Sequence, residues 1–209
     1  MNAQTKESQA LITPQSAIAL LKEGNARFRE NKKAARDLMS QVAQTTSGQY
    51  PFATILSCID SRVSAELVFD QGVGDIFSAR VAGNIVNEDL LGSIEFACKL
   101  AGTKVVVVLG HTSCGAVKGA CDDARLGNLT ALVSKIKPAV VAVEDPKDPQ
   151  LRNSKNLDFV DRVAKMNVNL TLEEIRTKSP VLREMEENGE IEIVGAMYDI
   201  NTGKVTFYE

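Results

Sequence analysis

The sequence predicts an α/β fold: a mostly parallel central sheet of four strands plus an antiparallel edge strand, with helices on both faces and an N-terminal helical arm. Residues 105–109 are consecutive apolar, mostly β-branched residues, which is typical of a parallel strand buried on both faces. Strand patterns alternate with helical patterns along the chain. At 209 residues and 44% hydrophobic content, the chain is long enough to bury a core without disulfides. We expect a single domain over residues 1–209.

The arm is expected to span residues 1–50. Residues 1–12 are polar and are expected to be mobile. Thr13 and Pro14 form an N-cap followed by proline at the first helical position, and apolar residues then repeat with helical spacing to about Glu30. We expect this helix to dock on the core or on another subunit. A short helix is expected at residues 35–43, before a turn-rich loop.

The core is expected to span residues 51–209. Its strands are predicted at residues 51–58, 75–79, 105–109, 190–198 and 204–208, the last one antiparallel at the sheet edge. Its helices are predicted after Ser64, at residues 88–101, 114–124 and 126–143 with a break at Pro138, and at residues 153–188. The last region is expected to be interrupted near residues 167–171 and again at Ser179-Pro180.

Chemically reactive side chains follow two of the predicted strands. His111, the only histidine, and Cys114 follow the strand at residues 105–109, whereas Cys58, Asp60 and Arg62 come at the end of the first strand. Open α/β sheets bind ligands at the carboxyl ends of their strands, so these groups converge if the two strands are neighbours. Two thiolates and an imidazole suit zinc. We therefore expect Cys58, His111 and Cys114 to bind one Zn²⁺ per subunit.

Asp60 decides what such a site does. If Asp60 fills the fourth zinc position permanently, the site is structural, and if water fills it, the site is catalytic. An extended backbone beyond Cys58 would place Asp60 and Arg62 on the same side as the thiol. Arg62 would then keep the carboxylate ionised and off the metal, where it accepts a hydrogen bond from zinc-bound water. We expect hydroxide and Asp60 to compete for zinc, with the closed form favoured at lower pH.

Composition excludes several other functions. The net charge of −3, with both signs interspersed, provides no basic stripe for nucleic acid and no membrane-binding face. No apolar run approaches 20 residues, and the first residues lack a signal-peptide pattern, so we expect a cytoplasmic protein. In that compartment the four cysteines are expected to be ligands or buried hydrophobic residues. The partner is expected to be a small molecule.

Four motifs resemble the β-class carbonic anhydrases in order and spacing: Cys58-x-Asp60-Ser61-Arg62, Gly74-Asp75-x-Phe77, Arg80-x-Ala82-Gly83-Asn84 and His111-x-x-Cys114-Gly115. The resemblance implies reversible hydration of carbon dioxide to bicarbonate and a proton, by attack of zinc-bound hydroxide. The bicarbonate-inhibited subgroup of this family has a tryptophan in its regulatory pocket, and this chain has no tryptophan. The resemblance therefore favours the plant-like, open-site subgroup. The resemblance also implies a homodimer or a higher even-numbered homo-oligomer, with the N-terminal helix reaching across to the other subunit.

The resemblance extends to the substrate pocket. It implies that Phe77, Ala82 and Gly115 border the substrate, and that Gln49 donates a hydrogen bond to substrate, completing the neighbouring subunit's pocket. With His111 used as a ligand, the product proton would leave through water, buffer or an exposed acid such as Glu88 or Asp89. Two alternatives stay open, namely a hydrolase of carbon disulfide or carbonyl sulfide on the same fold, and a closed structural zinc site in a binding protein.

Overall fold

The computed structural model describes residues 1–208 of the chain, so the last residue of the predicted core, Glu209, lies outside the described residues. The strands are Ala53–Ser57 (β1), Ile76–Arg80 (β2), Val105–His111 (β3), Glu192–Tyr198 (β4) and Val205–Phe207 (β5). The helices are Lys6–Ala10 (α1), Pro14–Arg29 (α2), Leu38–Gln44 (α3), Ala65–Val68 (α4), Glu88–Glu95 (α5), Gly115–Cys121 (α6), Gly127–Ser134 (α7), Lys137–Ala142 (α8), Leu157–Lys178 (α9) and Pro180–Glu187 (α10). Short 3₁₀ turns cover Ala82–Asn84 and Pro149–Leu151, and a π-helical turn, Phe96–Leu100, continues α5.

The strands form a single sheet in the order β2-β1-β3-β4-β5. The first four are mutually parallel, and β5 runs antiparallel to β4 at the edge. This confirms the predicted fold class. The central strand β3 is buried along all seven of its residues, which explains its unbroken apolar sequence. Because β1 and β3 are neighbours, the loops that follow them lie at the same edge of the sheet.

Helices cover both faces of the sheet. On one face, Leu56, Val106 and Val108 pack in a core cluster with residues of α5, α6, α8, α9 and α10. On the other face, Ile55 and Val107 pack with residues of α2 and α4. Side chains that alternate along each strand therefore enter two separate cores, as expected for a sheet enclosed between helical layers.

The N-terminal helix α2 lies on the second of these faces. Its residues Ala17 and Leu21 are fully buried. A Cβ atom at Gly24 would lie 1.8 Å from the main-chain oxygen of Phe69, so only glycine allows α2 to approach α4 this closely. The sequence left open whether this helix docks on the core or on another subunit. In the structure, α2 contacts the core of its own chain.

The prediction that residues 1–12 are mobile is wrong. The helix α1 is capped by reciprocal hydrogen bonds between Thr5 and Ser8. The buried side chain of Gln9 donates to the carbonyls of Pro51 and Ala101, at 2.7 and 2.8 Å. The polar side chain of Gln9 thus forms hydrogen bonds with backbone groups of the core rather than with solvent.

The predicted interruption near residues 167–171 is also wrong, because α9 runs unbroken for 22 residues. Asn167 and Thr171 face the core and donate hydrogen bonds to carbonyls of the Ala82–Asn84 turn. Polar residues therefore lie on a buried helix face here without breaking the helix. The second predicted break is confirmed, since Ser179 ends α9 and caps α10. Among residues 1–208, no helix has both the length and the apolar character that a membrane crossing requires.

Candidate metal centre

Three buried ligand atoms meet at the carboxyl edge of the sheet. Cys58 follows β1, His111 ends β3, and Cys114 stands one turn later, immediately before α6. Their ligand atoms all lie within 4.8 Å of one another, and the residues are 4%, 0% and 1% exposed. The structure thus brings together the three ligands predicted from the ends of neighbouring strands.

The separation of the two sulfurs fits a tetrahedral metal ion. The two Sγ atoms are 3.9 Å apart, and sulfurs held at about 2.3 Å around tetrahedral zinc lie about 3.8 Å apart. His111 Nδ1 lies 2.9 Å from the Thr112 carbonyl oxygen, which assigns the ring proton to Nδ1 and leaves a lone pair on Nε2. Nε2 is buried and finds no hydrogen-bond partner in the described part of the chain. A soft divalent cation would satisfy both thiolates and this nitrogen.

The two thiols have opposite tendencies to ionise. The hydrogen bond from the Cys114 thiol lowers the pKa of Cys58 to about 4, with further contributions from His111 and from the Gly83 N–H group, which lies 3.3 Å from Sγ. The same thiol–thiol hydrogen bond, together with burial, raises the pKa of Cys114. These shifts make Cys58 the more acidic of the two thiols and favour retention of a proton on Cys114. A bound dication would displace that proton.

Asp60 borders the cluster and is held by Arg62. The guanidinium donates Nε to Oδ1 at 2.9 Å and Nη2 to Oδ2 at 2.7 Å, and the Arg62 N–H group also reaches Oδ1, at 3.0 Å. These hydrogen bonds keep the pKa of Asp60 well below its usual range. Asp60 Oδ2 lies 3.9 Å from His111 Nε2. The carboxylate is thus near the three ligands without joining them.

The backbone after Cys58 differs from the expected extended path. It turns at Asp60, whose carbonyl accepts the Val63 N–H group at 2.9 Å. The side chains of Asp60 and Arg62 meet because the Asp60 carboxylate accepts the main-chain N–H two residues later, as in an Asx turn. The predicted pairing is present, but a turn produces it rather than strand periodicity.

Sequence reasoning missed two side chains that hold the ligand loops. Arg80 ends β2 and donates to the carbonyls of Cys58 and Asp60, at 3.0 and 2.9 Å. Asp161, on α9, accepts the Ser113 N–H group at 2.7 Å, where Ser113 has a left-handed φ of 56°. In the sequence, Arg80 is recognisable only as part of the motif Arg80-x-Ala82-Gly83-Asn84. A single acidic residue on a helix provides no local signal that would identify Asp161.

Two of the residues predicted to contact substrate, Ala82 and Gly115, lie close to the predicted metal ligands. Ala82 and Gly115 are next to site residues, since Ala82 precedes Gly83 and Gly115 follows Cys114. A Cβ atom at Gly115 would meet no heavy atom within 4 Å among the residues that the structure describes, so close packing does not explain this glycine.

Phe77 and Gln49 are not brought to the ligands within this chain. Phe77 is the second residue of β2, and its ring centroid lies 6.4 Å from that of Phe96. It lines a groove together with Glu88 and Asp89, and none of the three ligands contributes to that lining. Gln49 is exposed in the loop before β1, near the opposite edge of the sheet.

Comparison with known proteins places this site in a family. The family model "Carbonic anhydrase" matches residues 53–205. The chain is 35% identical over 197 residues to "Carbonic anhydrase 2" of Mycobacterium tuberculosis, and the match covers 91% of each chain. The solved structure of the β-carbonic anhydrase CcaA superposes with a TM-score of 0.74 at 26% identity, covering 92% of this chain and 95% of the other. A chain from the crystal structures of two tetrameric β-carbonic anhydrases of Sordaria macrospora superposes with a TM-score of 0.68 at 25% identity, covering 79% of this chain and 84% of the other. The chain therefore belongs to the β-class carbonic anhydrase family of enzymes, as its motifs predicted.

Proposed function

We propose that the protein catalyses the reversible hydration of carbon dioxide to bicarbonate and a proton, with one zinc ion per subunit held by Cys58, His111 and Cys114. The observation that carries the proposal is the cluster of two sulfurs 3.9 Å apart beside an imidazole nitrogen that has no hydrogen-bond partner among residues 1–208. When bound there, zinc supplies a Lewis acid that makes a nucleophile of water at neutral pH. Three protein ligands leave a fourth position, which distinguishes catalytic from structural sites.

Asp60 is proposed to orient the reacting water. Arg62 occupies two acceptor positions on Oδ1 but only one on Oδ2, so Oδ2 keeps a free lone pair on the side of His111. That lone pair would accept a hydrogen bond from a water molecule beside the three ligands and so orient it. Arg62 has a second task, because it holds the carboxylate away from the fourth metal position. A carboxylate released from Arg62 would close the site.

The substrate pocket is proposed to combine two subunits. Ala82 and Gly115 lie beside ligand residues of the same chain, whereas Gln49 and Phe77 lie elsewhere on its surface. A neighbouring subunit would therefore supply Gln49 and Phe77. The tetrameric relatives from Sordaria macrospora support an even-numbered assembly. The cytoplasmic location stays a prediction.

The test is stopped-flow carbon dioxide hydration by zinc-loaded protein, with Asp60→Asn beside wild type. Asp60→Asn should lower kcat/KM by about 10² at unchanged zinc content, because a neutral amide oxygen accepts a hydrogen bond less strongly than a carboxylate does. Asp123→Asn is the matched control, since Asp123 pairs with Arg125 at the same spacing on the exposed surface, at 3.1 Å. Its activity should equal that of wild type. A zinc-replete wild type that hydrates no carbon dioxide would refute the proposal, with turnover of carbon disulfide or carbonyl sulfide indicating the hydrolase, and no turnover at all indicating a structural site.

A further inference from the structure

Two buried polar side chains of α9 have no role in the chemistry described so far. Asn167 and Thr171 are each 3% exposed and lie one helical turn apart, so they share a face of α9. The other buried residues of α9 are mainly apolar: Phe159, Val160, Val163, Ala164, Val168, Leu172 and Ile175. Burying an amide or a hydroxyl costs free energy unless it is hydrogen-bonded. The partners of these two groups therefore indicate what they do.

Both partners belong to the 3₁₀ turn Ala82–Asn84. Asn167 Nδ2 donates to the Gly83 carbonyl at 2.8 Å, and Thr171 Oγ1 donates to the Asn84 carbonyl at 3.4 Å. The accepting residues have φ of 72° and 43°, a left-handed conformation that side chains disfavour. A turn of this kind needs support from its surroundings to persist. The two polar residues of α9 provide that support.

The turn is in direct contact with the metal centre. The Gly83 N–H group points at Cys58 Sγ from 3.3 Å, while the carbonyl of the same residue is held by Asn167. Gly83 is thus fixed at both ends, by the sulfur on one side and by α9 on the other. An N–H group directed at a thiolate withdraws charge from the sulfur, and this matters because two thiolates already offset the 2+ charge of zinc.

We propose that Asn167 is a positioning residue for the metal centre, which holds the Gly83 carbonyl so that the Gly83 N–H group stays directed at Cys58 Sγ. The inference rests on the proposed function, because it assumes a metal ion at the three ligands. Asn167 thereby reduces the charge that Cys58 donates to the metal and preserves the metal's acidity. Outer-shell partners of this kind orient ligands and tune the metal.

The test uses Co²⁺-loaded protein, whose sulfur-to-cobalt charge-transfer band reports the charge on the thiolates. Asn167→Leu removes the donor at similar volume. It should weaken Co²⁺ and Zn²⁺ affinity by about 10- to 100-fold and move the band to longer wavelength, since a sulfur without the N–H contact gives up an electron more easily. Thr171→Val removes only the neighbouring contact and should lower affinity by less than about tenfold, without a band shift.

A third variant separates positioning from packing. Val163→Ala shortens a fully buried side chain of the same helix that has no polar contact with the turn. It should destabilise the protein while leaving band and affinity unchanged. If Asn167→Leu lowers stability in the same way but shifts neither band nor affinity, the role of Asn167 is purely structural and the inference fails.

Wild-type protein provides a measurement that does not depend on the variants folding. In ¹¹³Cd-loaded protein, the Gly83 amide proton should show scalar coupling to the metal through Cys58 Sγ, and absence of that coupling would overturn the inference. Wild type that binds Co²⁺ without a sulfur charge-transfer band would instead overturn the metal site itself. The failure of the inference is thus distinguishable from the failure of the proposed function.

Discussion

Replacing Gly83 by alanine tests the turn that joins α9 to the metal centre. The residue has φ of 72°, and an added Cβ would lie 2.5 Å from Ile136 Cδ1 and 3.3 Å from the Cβ of Ala116. Ile136 is fully buried, so it has little room to move. We expect Gly83→Ala to strain the backbone and to displace the turn from Cys58.

The expected loss of stability has two parts. A left-handed residue with a Cβ costs about 1–2 kcal/mol, and overpacking a filled core costs about 1–3 kcal/mol. The free energy of unfolding should therefore fall by about 2–5 kcal/mol. Urea unfolding of metal-free protein measures this loss directly, because a bound ion would add its own binding energy to the folded state.

Gly189 offers a matched control. Its φ is 71°, and a Cβ there would meet no atom within 4 Å among residues 1–208. Gly189→Ala should lower the free energy of unfolding only by the cost of a left-handed residue with a Cβ, about 1–2 kcal/mol, and should leave metal affinity unchanged. The difference between the two alanine variants isolates the clash with Ile136.

A double variant completes this test. Ile136→Val removes the Cδ1 atom and alone should cost about 0.5–1.5 kcal/mol. Combined with Gly83→Ala, it should cost less than the two single losses together, because the clash is relieved. This description of the turn would be refuted if Gly83→Ala and Gly189→Ala lowered the free energy of unfolding equally. It would also be refuted if the losses from Gly83→Ala and Ile136→Val were strictly additive in the double variant.

Two further predictions concern contacts that hold the site and the arm. Asp161→Ala removes the acceptor of the Ser113 N–H group and should lower zinc affinity by about 10- to 100-fold in competition with a chromogenic chelator, whereas Asp161→Asn keeps an oxygen acceptor and should lose less. Burial opposes the ionisation of Asp70, but hydrogen bonds from Arg27 and Arg36 outweigh it and lower its pKa. Its stabilising contribution should therefore be complete above the unfolded-state pKa of about 3.9 and fall as pH drops through the lower folded-state value. The stability difference between wild type and Asp70→Asn, measured by urea unfolding from pH 7 to pH 3, should follow that course, and a difference that grows toward acid would contradict it.

The parts of the fold that could be predicted depend on local patterns. The apolar run at residues 105–109 identified the central strand, because only a strand covered on both faces has no polar alternation. Reactive residues directly after two such strands then indicated a common site, since parallel strands share a carboxyl edge. Cys58 and His111 therefore met as expected once β1 and β3 proved to be neighbours.

The parts that could not be predicted depend on contacts between distant residues. Asn167 and Gly83 are 84 positions apart, and Gln9 and Ala101 are 92 positions apart. A buried amide that binds a distant carbonyl looks, in sequence, like any polar residue that interrupts an apolar face. For this reason α9 was expected to break and residues 1–12 were expected to be mobile.

Cys58 and His111 extend from β1 and β3, whose residues are all buried within the sheet. Stability in proteins is uneven, and segments of this kind open only when most of the molecule opens. Release of a metal ion from between them should accordingly be as slow as global unfolding. The rate at which bound metal exchanges with free isotope should then match the hydrogen-exchange rate of the most protected amides of β3 rather than that of amides in the surface loops.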